Sequence, residues 1–209
     1  MNSIVHYAGI AAYLFAAASI LSTLALIIMF AGIGVFGPIN DVISALQFLF
    51  LVPVAIASYQ TLRPTNPVMS AIPMVVGVLA MLIFAELQLS LVAGILRFDQ
   101  TLGAVLAAGA VIGLWLIAAD ATLLMGGHVA TWLGWTGIVG GISFVLTAVG
   151  WFFLGGIDHP AVTVGFIVGA ILLPVWGFGL GRVLSGPLMP TPCAMTPCAM
   201  TPCTMHPAP

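Results

Sequence analysis

The stretch VMSAIPMVVGVLAMLIFAELQLSLVAGILR, Val68 to Arg97, decides how this chain is read. It is a long apolar run carrying Glu86, the one glutamate in the sequence. A carboxylate deep in a bilayer costs several kcal/mol, so the run predicts a spanning helix whose Glu86 faces protein or a water-filled cavity.

Composition extends that reading to the whole chain. Of 209 residues, 62% are hydrophobic and only 4% are charged, with a mean hydropathy of +1.28. Soluble domains carry about 25% charged residues, so a water-exposed globular surface is excluded. The charges are Arg63, Arg97 and Arg182 against Asp41, Glu86, Asp99, Asp120 and Asp158, with no lysine. A net charge of −2 offers no basic patch for nucleic acid or anionic headgroups. The expected class is all-α, a polytopic integral membrane protein in contact with the lipid bilayer.

A spanning helix needs about 20 apolar residues. Six stretches meet that length, at 8–36, 41–62, 68–97, 101–125, 130–154 and 160–184. They form an expected bundle over residues 1–186 with short loops and an irregular tail over 187–209. Gly37-Pro38-Ile39-Asn40 reads as the first loop, Asp41 as the N-cap of the second helix, and Pro160 as a first-turn proline. The opening MNSIVHY lacks a positive n-region, so the first apolar run is expected to be a permanent span rather than a cleaved signal. With six spans, Arg63 and Arg182 share a side with both termini, and Arg97 lies opposite. Because Arg collects in cytoplasmic loops, the expectation is a plasma or inner membrane protein with both termini cytoplasmic.

Packing signals inside the bilayer are small residues four apart. Gly137/Gly141, Gly165/Gly169 and Ala104/Ala108 have that spacing. Trp132 and Trp135 near one end of the fifth helix, with Trp151 near the other, fit interfacial anchors. Arg97 and Arg182 each close a third helix in this threading, but no further inverted repeat is evident.

The polar groups inside the spans are the candidate chemistry. Glu86 and Ser90 share a helix face and Gln88 points elsewhere. Glu86 lies about 16 Å, and Gln47 about 9 Å, from the outer ends of their helices, so antiparallel packing would bring Gln47 toward Glu86 or Gln88. Two readings follow: a proton or cation site titrating at Glu86, or a neutral Glu86 hydrogen-bonded to an amide as a link between helices. Asp120, roughly 28 Å from the outer end of its helix, is expected to form an ion pair with Arg182 or Arg63. His6, His128 and His159 fall at helix ends, where a histidine can ligate a haem or pigment metal, and unliganded interfacial histidine is the plainer reading. CxxCH, HExxH, GxSxG and phosphate-loop motifs are absent, and no enzyme activity is expected.

The tail repeats TPCAM, TPCAM, TPCTM and ends HPAP. It sets Cys193, Cys198 and Cys203 five apart, each followed two residues later by Met195, Met200 or Met205, with His206 beyond. These soft ligands suit Cu(I). The proline before each cysteine instead favours an extended strand with no preformed cage, consistent with repeat slippage or a passive docking tail. Lipidation of Cys193 is a further reading.

Two stretches, GPINDVISALQFLFLVPVAIA (Gly37 to Ala57) and LPVWGFGLGRVL (Leu173 to Leu184), resemble segments of small six-helix bacterial membrane proteins classed as a domain of unknown function. The resemblance implies a six-helix fold and carries over no catalytic residue. The leading functional expectation is a non-catalytic accessory or scaffolding subunit of a larger membrane complex, with other membrane subunits as partners. The alternatives are a small proton- or ion-coupled transporter with its site at Glu86, and Cu(I) handling by the tail.

Overall fold

A computed structural model describes residues 2–64, 67–156 and 158–186. Among these residues there are six α-helices: α1 (Asn2–Phe30), α2 (Phe36–Leu62), α3 (Pro67–Val92), α4 (Phe98–Met125), α5 (Thr131–Phe153) and α6 (Pro160–Ser185). All six are long and apolar enough to cross a bilayer. Short connections make consecutive helices antiparallel neighbours. Each helix packs on the next, and α6 closes the ring against α1. One contiguous cluster of buried apolar side chains draws on all six helices, including Phe15, Leu51, Met81, Leu116, Leu133 and Trp176. A space of about 20 Å³ between α2, α3 and α4, lined in part by Ser58 and Trp115, is too small for a passage.

Two helix ends fall short of the sequence expectation for one reason. Gly32 and Gly94 adopt φ of 101° and 69°, the left-handed conformation that ends a helix. At the end of α3, Gly94 N–H donates to the Leu91 carbonyl and Ile95 N–H to the Ser90 carbonyl, both at 3.0 Å. This paired closure stops α3 at Val92 instead of Arg97. Arg97 is the N-cap of α4, where its N–H donates to Gln100 Oε1 at 3.1 Å. Likewise α1 ends at Phe30, and Gly37-Pro38 lies inside the first turn of α2. Proline is tolerated there because the first N–H groups have no helical partner. Asp41 is therefore not a cap; Val35 occupies that position. The tail's cysteines, methionines and His206 lie outside the described residues.

Glycine positions set how closely α4, α5 and α6 approach. A β-carbon at Gly113 or at Gly141 would stand 2.5 Å from the other residue's carbonyl oxygen, so the backbones of α4 and α5 touch there. On α6, a β-carbon at Gly165 would meet the Ser143 carbonyl at 2.7 Å, and one at Gly169 would meet Ser143 Oγ at 2.8 Å. The Gly137/Gly141 and Gly165/Gly169 spacings thus mark real contacts. The Ala104/Ala108 pair does not, since Ala108 is buried and Ala104 exposed.

Candidate functional site

Two polar places stand out, one inside the bundle and one on its outer wall. The inner one is Asp120 on α4, which is 1% exposed. Trp176 Nε1–H on α6 donates to Asp120 Oδ1 at 3.0 Å. Phe15 holds the indole edge-on, with ring centroids 5.8 Å apart and planes at 90°. Asp120 Oδ2 has no hydrogen-bond partner. It lies where a side chain on Gly137 would begin, so Gly137 of α5 presents only a Cα–H to it. Three helices therefore meet at Asp120, Gly137 and Trp176.

The ion pair expected for Asp120 does not form. Arg63 and Arg182 are exposed at helix ends, whereas Asp120 turns into the α4–α5–α6 seam, where the reachable donor is an indole. Arg97 and Asp99, 3.2 Å apart, make the one ion pair among the described residues. Trp176 was not singled out in the sequence. The signal was present, because a buried tryptophan needs an acceptor for its N–H and Asp120 lies in the matching half of its own helix.

The outer place contains Glu86, which sits on an exposed face of α3. It lines an open groove of about 410 Å³ with Leu49 of α2 and Leu82, Leu89, Ser90 and Ala93. Glu86 and Ser90 come together as their spacing predicts. Gln47 and Gln88, each 7% exposed, turn into the bundle instead. The inward stripe of α3 is Met81, Phe84, Ala85 and Gln88, at helical spacing, and Glu86 faces the other way. The carboxylate accordingly departs from the expected interior position. With α3 ending at Val92, Glu86 is about 9 Å from its helix end. A helix of 26 residues is about 39 Å long against about 30 Å of hydrocarbon, which puts Glu86 some 5 Å inside the boundary, shallower than the middle.

The histidines are peripheral. His6 and His128 are exposed, and His159 Nδ1 accepts the Ala161 N–H at 3.2 Å, capping α6. Among the described residues no three His, Cys, Asp or Glu side chains gather as a metal set. A further polar cluster joins α1 to α2, where Ser22 Oγ donates to Asn40 Oδ1 at 2.7 Å and lies 2.8 Å from Ser44 Oγ.

Fold and polar placement together define a multi-pass membrane protein, a bundle of six apolar helices among the described residues. In comparison with known proteins, no family model, no curated protein and no solved structure matches the chain.

Proposed function

We propose that this chain is a non-catalytic accessory or scaffolding subunit of a larger membrane assembly. The observation that carries the reading is Glu86, an ionisable side chain on the exposed face of α3, which helix length places about 5 Å inside the hydrocarbon boundary. Such a group is costly against lipid, and a neighbouring subunit that covers it removes the cost. A transport reading has less support, since Gln47 and Gln88 are turned away from Glu86 and the groove lining is mainly apolar. Purified in mild detergent from its native membrane, the chain is expected to bring down other membrane subunits in fixed ratio. A monodisperse single chain without companions would refute the proposal.

The proposed setting is the plasma or inner membrane, with both chain ends cytoplasmic. Support comes from Arg63 and Arg182 on the side of the termini against Arg97 on the other. All three cysteines of the protein, Cys193, Cys198 and Cys203, lie beyond α6, so the wild-type chain reports its own topology. A membrane-impermeant maleimide is expected to leave intact cells unlabelled and to label the protein after permeabilisation. Labelling of intact cells reverses the orientation.

A further inference from the structure

We infer that the groove beside Glu86 receives a transmembrane helix of a different polypeptide, one that presents an arginine or lysine to the carboxylate. The inference rests on the subunit reading and names the kind of partner. The groove is shallow and open, and Leu49 on α2 with Leu82 and Leu89 on α3 makes its lining apolar beside Glu86 and Ser90. An incoming helix that buries its apolar face on this lining places a basic side chain against Glu86.

Charge complementarity selects the occupant over a second copy. In a two-fold pair the same patch meets itself, so Glu86 would face Glu86 or sit near it, which sets like charges together. Nor does a second copy bring a cation to that depth. The chain has no lysine, and Arg63, Arg97 and Arg182 stand at helix ends. Arg97 is the one on the Glu86 side of the bilayer, and it is exposed and paired with Asp99 at 3.2 Å. The cation must therefore come from another molecule. A lipid with an ammonium headgroup carries that charge at the surface, above Glu86, whereas a basic residue on a helix is carried at the same depth as the carboxylate.

The test uses the full chain, donor-labelled at its tail cysteines, in phosphatidylcholine liposomes. The probe is a synthetic helix of about 20 apolar residues with a single arginine at the Glu86 depth, acceptor-labelled, beside an all-apolar twin. Energy transfer is expected to show roughly tenfold tighter association of the arginine probe than of its twin, the scale of one interhelical polar contact. Glu86→Leu is expected to abolish that preference. Because Glu86 lies on an exposed face of α3, the variant's circular dichroism and melting should match the wild type. Leu82→Trp, which fills the groove and keeps the charge, should abolish association too. Equal association of the two probes overturns the inference. Glu86-dependent energy transfer between copies of the chain overturns it in favour of a homodimer. Loss of the arginine preference when phosphatidylethanolamine is added overturns it in favour of a lipid. If companions still co-purify in any of these cases, the groove assignment falls and the subunit reading stands. A retained arginine preference with no companions has the opposite consequence.

Discussion

Gly113→Ala and Gly141→Ala are each expected to destabilise the bundle by roughly 1–3 kcal/mol, the usual cost of overpacking a close contact. The two positions face each other across α4 and α5, and a β-carbon at either stands 2.5 Å from a carbonyl oxygen. A flexible side chain can swing away from an added methyl; a helical carbonyl cannot. Relief requires the helices to separate, which opens the packing around Phe144 as well, whose Cβ a Gly113 β-carbon would meet at 2.8 Å. Gly103→Ala on the same helix is the control. There the nearest atoms are Phe152 ring carbons at 3.8 Å, an ordinary contact. Alanine's helix propensity should then stabilise by about 0.5–1 kcal/mol. Thermal or denaturant unfolding in detergent reads the two signs. Gly113→Ala as stable as the wild type would mean that α4 and α5 do not touch through their backbones.

Trp176→Phe is expected to cost about 1–3 kcal/mol, because it leaves a buried carboxyl group with neither oxygen hydrogen-bonded. Oδ2 is already without a partner, so the indole N–H is the sole donor that Asp120 has. Phenylalanine keeps most of the ring packing on Phe15, which restricts the loss chiefly to the hydrogen bond. A double-mutant cycle isolates it: with Asp120→Ala already in place, Trp176→Phe should cost little, giving a coupling of about 1–2 kcal/mol. Additive losses would remove the Asp120–Trp176 bond from the account of stability. Gly137→Ala should also destabilise, since its β-carbon would overlap the Asp120 carboxylate and come within 2.6 Å of Trp176 Nε1. Removing Asp120 should recover part of that loss, because the carboxylate is the nearer obstacle. These variants probe structure alone, and their independence from Glu86 separates the inner node from the outer groove.

The amino-acid sequence by itself determined that this is a helical membrane protein, how many spans cross, and which few side chains are polar within them. Those conclusions follow from length and hydropathy, which a bilayer reads one segment at a time. Glycine spacing on α5 and α6 also carried true packing information, because only a missing side chain lets two backbones approach. The ends of α1 and α3 were legible in principle at Gly32 and Gly94, but charge at Arg97 and proline at Pro38 drew the boundaries too far. What only the tertiary structure decided is direction around each helix. In water, a polar face marks the outside of a helix. In hydrocarbon, lipid and protein interior are equally apolar, so the residues of α3 that face α2 and α4 do not differ in hydrophobicity from those that face lipid. Leu82 outside and Met81 inside are both apolar, so hydrophobicity does not tell which of them faces the bundle. The inward turn of Gln88, the outward turn of Glu86 and the meeting of Asp120 with Trp176 across fifty-six residues of chain were therefore settled by the way six helices close into a ring.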